Sequence, residues 1–404
     1  MTTNMPLSGL KVVELSGYVA GPATTRMLSD YGADVIKVED LYGDPWRTVG
    51  AAYCTNGAFN DPEFSIGNSG KKLVSLNLKT EAGMEAMMKL VSEADIFVTS
   101  FRLPALQKMG LDYDTLKEKY PTLIYGHLTG LGYDGPDAER AGYDIAAFWA
   151  RTGPLVDWLE KGAHPIVPTI AFGDMATATM LVSGILMALH SRDVNGKGTL
   201  VETSLYGTSI WYNGFAIVDS QPQYRHKYPQ NPATPPTPFG ASYQCKDGEW
   251  INFAIVAYEA MKEKMAKVFG MEKEFDDPRA ENTIVMTMSG YLPEIVEKIS
   301  AVFKTKTCDE WCEIFNEQDI VYERLMHFKD VSKDPQAWAN NYLENVQFKD
   351  VTTAMPATPL RFPEFEKRHY MPLGGVGEDT EEVLTSIGYS TEEIAAMKEN
   401  KEVR

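Results

Sequence analysis

The chain has 404 residues, 44 % hydrophobic and 11 % aromatic, with 32 Gly and 23 Pro. That is enough apolar content for two or three ordinary domains and the wrong composition for collagen, coiled coil or disorder. Thirty-eight Lys plus Arg against 56 Asp plus Glu give a net charge of −18, which repels a phosphate backbone unless cations gather locally and so argues against nucleic acid as a partner. Four cysteines, Cys54, Cys245, Cys308 and Cys312, are too sparse for a disulfide scaffold and read as reduced thiols of a cytoplasmic protein. The longest mostly apolar run, Met180 to Leu189, is about half of what a bilayer-crossing helix needs, and the N-terminus lacks a basic-then-apolar export pattern, so no membrane association is expected.

In chain order, short apolar runs alternate with helix-like segments over the first 130 residues, the pattern of parallel strands joined by crossover helices. The predicted strands are Leu10 to Leu15, Asp34 to Glu39, Leu73 to Leu78, Asp95 to Thr99 and Leu123 to Leu128. Between them, Ala23 to Asp30, Thr80 to Ser92 and Asp112 to Tyr120 carry apolar residues at helical spacing. This is a doubly wound α/β sheet. An apolar helix is expected over Ala176 to His190, and the proline-rich Asn231 to Phe239 should form a long ordered loop. Ala241 to Cys245 and Trp250 to Val256 then read as strands, followed by amphipathic helices to about 325, an α+β block. The tail from about 363 returns to turns and helix, ending in Thr391 to Lys398.

Gly130-Leu-Gly132-Tyr-Asp-Gly135 has the letters of a dinucleotide loop, but Pro136 follows where a helix should start. Without a helix N-terminus aimed at the pyrophosphate the motif is a strand-ending turn, so neither nicotinamide nor flavin is expected. The six histidines are scattered, and Cys308 with Cys312 lacks neighbouring ligands, so no metal is expected. A Gly-x-Ser-x-Gly nucleophile turn is missing too. Two stretches carry more. Gly17-Tyr-Val-Ala-Gly21-Pro22 follows the first strand and opens a helix, close to the loop after Asp34 to Glu39. Asp174, just after Gly173 and before the apolar helix, suits two roles: a helix N-cap, or a nucleophilic carboxylate with room beside it for a thioester.

Together these stretches resemble the class III CoA-transferase (CaiB/BaiF) family over essentially the whole chain. The resemblance rests on Leu7 to Leu15, Ala20-Gly-Pro-Ala, Tyr31 to Glu39, Gly43-Asp-Pro-Trp-Arg47, Asn68 to Lys72, Leu76 to Lys79, Leu106 to Leu111, Gly142-Tyr-Asp144, Gly173-Asp174, Asp334 to Trp338 and Gly377 to Leu384 with Ile387-Gly-Tyr389. It implies a large Rossmann-like domain from residues 1–222 and 329–404 around a smaller α+β domain, 223–328, in an interlocked homodimer. It implies that Asp174 is the nucleophile, passing through an aspartyl anhydride and an aspartyl-CoA thioester. Coenzyme A and acyl-CoA are then substrates.

Carried over residue by residue, the resemblance puts Val19 and Ala20 near the nucleotide or thioester and Lys37 and Val38 beside the adenine. It puts Leu76, Asn77 and Lys79 in the phosphoadenosine pocket with Ser100, Phe101, Arg102 and Lys108, and adds Arg140, with Tyr143 and Asp144 adjoining the acyl centre. Local cations of this kind are what an acidic protein needs to hold a polyanion. Similar α-methylacyl-CoA racemases carry a histidine in the Gly-His-Asp version of the motif; here it is Gly142-Tyr143-Asp144. A phenol of pKa about 10 abstracts α-protons poorly at neutral pH, which favours transferase over racemase. Asp40 stands where some relatives carry arginine, and the proline-rich loop stands where the formyl-CoA branch has glycines. Trp211 to Phe215, His226 to Pro229, Pro238-Phe239 and Asp247 to Trp250 resemble the branch acting on 2-hydroxy acids such as 2-hydroxyisocaproate or phenyllactate, in amino-acid fermentation and beside a 2-hydroxyacyl-CoA dehydratase. Bile-acid, carnitine-type and dicarboxylate transfer are the alternatives. An apolar substrate pocket could come from Trp149, Trp211, Tyr212 and Phe215.

Overall fold

Six strands pair in one parallel sheet: β1 (Lys11–Leu15), β2 (Asp34–Glu39), β3 (Lys72–Ser75), β4 (Ile96–Thr99), β5 (Ile124–Thr129) and β6 (Leu200–Ser204). The computed structural model describes residues 5–53, 62–167, 169–224, 228–255, 257–371 and 373–404; Cys54, His226 and Val256 lie outside them. The spatial order is β3-β2-β1-β4-β5-β6, so the order reverses between β1 and β4, where open α/β sheets place their ligands at the carboxyl ends of the strands. The strands read as continuous apolar runs because both faces are covered. Val13, Leu15, Phe97 and Tyr125 pack with the Glu81–Ser92 helix on one face. Val12, Val35, Val98 and Ile124 pack with the Phe172–Asn195 helix on the other.

Five strands match the sequence reading to within a few residues; β6 escaped it, because Leu200-Val-Glu-Thr-Ser204 offers only two aliphatic residues and edges the sheet. The apolar helix spans 24 residues, Phe172–Asn195, not the expected Ala176 to His190. Its polar last turn ends at Gly196, whose φ of +73° is left-handed. By length and composition it could cross a bilayer, yet Thr177, Ala178, Leu181, Val182, Ile185 and Ala188 along one side are buried. Gly130 lies against Gly142, where a Cβ would come within 2.5 Å of the opposing Cα. The Gly130 motif thus serves close backbone packing.

Two compact units emerge. The first comprises Met1–Gly153, Ile166–Val218 and Pro335–Arg404, the second Pro154–Pro165 and Asp219–Asp334. In the first, the final segment is tied to β3: the Leu73 N–H donates to Asp379 at 2.7 Å and the Ser75 N–H to Thr380 at 3.0 Å. A hairpin that the sequence reading did not find, β10 (Leu343–Phe348) with β11 (Val351–Pro356), belongs to the same unit.

The second unit has three antiparallel strands, β7 (Ser242–Gln244), β8 (Trp250–Phe253) and β9 (Tyr322–Arg324). Helices Tyr258–Phe269, Leu292–Phe303 and Cys308–Glu317 bury an aromatic core there, in which Trp311 and Phe315 stack at 5.3 Å. Asn231 to Phe239 contains no helix or strand, as four prolines dictate.

Candidate active site

The Phe172–Asn195 helix begins at Ala171, which holds a left-handed φ of +60°. Asp174 is the third helical residue, so the N-cap expectation is corrected: its side chain makes no cap. The capping group comes from elsewhere. Asp144 opens a π-helix, Asp144–Ala150, a wide turn often found at functional sites, and its Oδ1 accepts the backbone N–H of Asp174 at 3.1 Å. This satisfies one of the orphan donors of a helix end with a charge that suits the dipole. Gly173 makes the approach possible, since a Cβ there would sit 2.2 Å from Asp144 Oδ1 and 2.3 Å from Phe148 Cγ.

With its backbone spoken for by Asp144, the Asp174 carboxyl is left without a hydrogen bond or ion pair among the described residues. Burial, and secondly the negative charge of Asp144, push its pKa up to about 7. Asp144 is itself raised by burial, against the lowering effect of the N–H groups of Gly173 and Asp174. Two carboxyls of elevated pKa thus meet at one helix end, the kind of perturbed pair that marks a candidate functional site.

Tyr143, directly before Asp144, is 60 % exposed and meets the ring of Tyr18 edge-on at 5.6 Å. Tyr18 lies in the loop after β1 with a φ of +64°, and its N–H donates to Asp44 Oδ1 at 3.0 Å. The sequence reading passed over Tyr18; its place between Gly17 and Val19 in the switch-point loop was the available signal. Val19 and Ala20, expected near the thioester, are buried at the start of the Ala20–Asp30 helix.

Lys37 requires a correction. It is wholly buried, its ammonium 2.8 Å from both Glu14 and Asp44 and donating to the Ser16 carbonyl at 3.0 Å. Burial alone would lower its pKa, but Asp44 and Glu14 hold it raised. It is a structural cation under the Tyr18 loop and does not face an adenine; Val38 is buried in the sheet as well. Glu14 also takes Lys71 at 2.7 Å, so a buried acid bridges two buried lysines, which hold its pKa down to about 2 although burial alone would raise it.

The remaining expected residues follow β3, β4 and β5 in the chain. Leu76, buried, and Asn77 and Lys79 follow β3; Ser100, Phe101 and Arg102 follow β4, with Lys108 on the Leu103–Met109 helix and Arg140 after β5. Lys79, Arg102, Lys108 and Arg140 are exposed and enter no ion pair among the described residues. Buried His127 on β5 places Nε2 2.8 Å from the Phe101 carbonyl, and burial lowers its pKa. The expected aromatic pocket is only partly assembled within one chain. Trp149 is buried beside Phe172, ring centroids 5.5 Å apart, whereas Trp211, Tyr212 and Phe215 are exposed, because the short helices Leu205–Tyr212 and Gly214–Asp219 turn those faces outward. Among the described residues no group of three or more His, Cys, Asp or Glu side chains is placed to hold a metal ion.

A doubly wound α/β fold with a carboxyl of raised pKa at a helix start is an arrangement suited to acyl transfer. The model of CoA-transferase family III matches residues 7–380. Over 402 residues the chain is 38 % identical to the (R)-2-hydroxy-4-methylpentanoate CoA-transferase of Clostridioides difficile, covering 99 % of this chain and 100 % of that protein. It is 35 % identical to the cinnamoyl-CoA:phenyllactate CoA-transferase of Clostridium sporogenes, covering 99 % and 98 %. A crystal structure of a CaiB/BaiF family protein from Brucella suis superposes with a TM-score of 0.79 at 28 % identity, covering 95 % of this chain and 100 % of that one. The chain belongs to CoA-transferase family III, and it is an enzyme, a transferase.

Proposed function

We propose that this enzyme moves CoA from an acyl-CoA donor to a 2-hydroxy carboxylic acid of the 2-hydroxyisocaproate or phenyllactate type, with Asp174 as the covalent carrier. The observation that carries the reading is the Asp174 carboxyl itself, poorly solvated, unpaired, and raised to about 7. Desolvation without a cationic partner keeps a carboxylate nucleophilic. The carboxylate attacks the thioester carbonyl and the C–S bond breaks, giving an aspartyl–acyl anhydride and CoA thiolate. The thiolate attacks the aspartyl carbonyl, releasing the donor acid and leaving an aspartyl-CoA thioester. The acceptor carboxylate attacks that thioester, and the released thiolate takes the acceptor acyl group from the second anhydride. No net proton is exchanged, and the thioester bond energy is conserved.

The acceptor class rests on the two clostridial relatives, whose names specify 2-hydroxy acids or their enoyl-CoA product. Coupling to a 2-hydroxyacyl-CoA dehydratase in the cytoplasm, with Lys79, Arg102, Lys108 and Arg140 toward the CoA phosphates, completes the proposal. An interlocked homodimer is part of it. Met187 and Val194 on the outer side of the Phe172–Asn195 helix, with Trp211 and Phe215, are 71–91 % exposed, and large apolar side chains of this kind are what a subunit interface buries.

Mixing enzyme, acyl-CoA and hydroxylamine should convert Asp174 to a hydroxamate, read by peptide mass spectrometry, and Asp174→Ala should abolish CoA exchange while still binding CoA. Full exchange in Asp174→Asn would overturn the mechanism. Solvent deuterium entering the α-carbon of an acyl-CoA with no acceptor acid present would mark a racemase instead.

A further inference from the structure

The π-helix Asp144–Ala150 ends two residues after Phe148, and a helix end leaves its last carbonyls without an intrahelical donor. For Phe148 two hydroxyls supply what is missing. Ser209 Oγ donates to the Phe148 carbonyl at 2.7 Å and Thr152 Oγ1 donates to the same oxygen, the two hydroxyls themselves lying 2.7 Å apart. Ser209 is wholly buried, on the Leu205–Tyr212 helix, 61 positions from its acceptor.

Asn213, itself buried, sets the direction of that serine. Its side-chain amide donates to the Ser209 carbonyl at 2.9 Å and to Ser209 Oγ at 3.1 Å. Turned over, the amide would set its oxygen against the carbonyl oxygen, two acceptors with no proton between them. With Oγ receiving from Asn213, its own proton is left to point at Phe148. The side chain of Phe148 meets the helix that carries Asp174. A Cβ on Gly173 would stand 2.3 Å from Phe148 Cγ and 2.2 Å from Asp144 Oδ1, so both residues of the π-helix press on the same glycine. Phe148 is buried and edge-on to Phe172, ring centroids 6.2 Å apart. A shift there is passed on, because a close-packed interior cannot absorb it locally.

We propose that Ser209 and Thr152 are positioning residues for the transfer reaction: by holding the last turn of the π-helix through the Phe148 carbonyl, they keep Phe148 and Asp144 against Gly173 and so fix where the Asp174 carboxyl points. The effect on transfer rests on the reading of Asp174 as covalent carrier; the packing link from Ser209 to Gly173 does not. Because the two hydroxyls share one acceptor, either alone still satisfies it, and only the loss of both leaves a buried carbonyl unpaired.

The test compares Ser209→Ala, Thr152→Val and the pair in the full-length protein. Three quantities are read: single-turnover acylation by acyl-CoA, calorimetric CoA affinity, and amide hydrogen exchange over residues 144–152 and 172–176. Each single change should slow acylation by no more than about fivefold and the pair by at least about fiftyfold, the scale of slightly misplacing a reacting group, while CoA affinity stays within about twofold. Exchange over both segments should quicken in the pair. Ser209→Thr on the Thr152→Val background keeps one hydroxyl and should hold acylation within about fivefold of the parent. Single losses that merely multiply in the pair, exchange unchanged over 172–176, or CoA affinity falling in step with the rate overturn the inference. Should the pair not fold, Asn213→Ala on the Thr152→Val background frees the serine hydroxyl to turn away and should slow acylation by more than the product of its two single effects; a plain product overturns the inference in that form as well. If the parent never forms an acylated Asp174, the reaction assignment fails, and faster exchange over 172–176 in the pair still upholds the link from Ser209 to that helix.

Discussion

Asp144 holds Asp174 by its backbone and leaves its side chain alone: Oδ1 of the first accepts the N–H of the second at 3.1 Å. One carboxyl is thus engaged by a backbone N–H, and the other has no partner among the described residues. The Asp174 pKa, pushed up to about 7 by burial and then by Asp144, means that only the fraction ionised at a given pH can attack a thioester. Single-turnover acylation by acyl-CoA should therefore rise with pH through about 7 and level off above it. Asp144→Asn should move that midpoint down, since a negative neighbour is removed. A profile flat from about pH 5.5 to 8.5 would contradict the assignment.

The same shift has a thermodynamic sign. A carboxyl whose folded pKa lies above its unfolded value of about 4 is favoured by the fold in its protonated form. Stability is then lost as pH rises from about 4 through about 7. Asp174→Asn should raise the melting temperature at pH 8 relative to the parent, with the gain vanishing near pH 4, as followed by calorimetric scans.

Gly173→Ala would place a methyl 2.2 Å from Asp144 Oδ1 and 2.3 Å from Phe148 Cγ. The π-helix must then retreat from the start of the Phe172–Asn195 helix. Expected are a loss of about 1–3 kcal/mol in chemical denaturation and about a hundredfold in transfer rate, the cost of misplacing a reacting group by about an ångström.

Glu14→Gln would leave Lys37 and Lys71 in the interior with half their countercharge, since Glu14 lies 2.8 Å from one and 2.7 Å from the other. Breaking a buried ionic set by removing one partner costs about 3–5 kcal/mol, measurable by urea unfolding. Lys37→Met/Asp44→Asn, which removes one charge of each sign and leaves Glu14 with Lys71, should cost less than Glu14→Gln alone.

Asp44 accepts the N–H of Tyr18 at 3.0 Å through one oxygen and meets Lys37 at 2.8 Å through the other, so it should act through Tyr18. In a double-mutant cycle, Asp44→Ala should lower kcat/KM for the acyl-CoA in the parent and have little further effect on Tyr18→Ala. Strictly additive losses would mean that Asp44 serves only the fold.

Much of this was legible in the sequence where one physical rule acted alone. Continuous apolar runs such as Ile96–Thr99 appear as strands because burial on both faces leaves no other reading. β6 was not legible, because an edge strand with polar residues carries little pattern. The same helix start shows the limit for the site: Asp174 has the composition of an N-cap, and only the fold brings Asp144, 30 positions earlier, to do the capping. Lys37 fails as a ligand residue for a related reason. In one dimension a lysine carries no label for what surrounds it, and here Glu14 and Asp44 close over it.

The tie between the final segment and β3, completed by a bridge from Val403 to Leu76, also bears on how the protein is made. The unit that bears the carboxylate is closed by residues from Pro335–Arg404, whereas nearly all of the second unit, Asp219–Asp334, precedes them in the chain. During synthesis the second unit can settle before Val403 reaches Leu76, so nascent chains stalled before Val403 is added should carry a finished middle and a sheet still missing its last bridge.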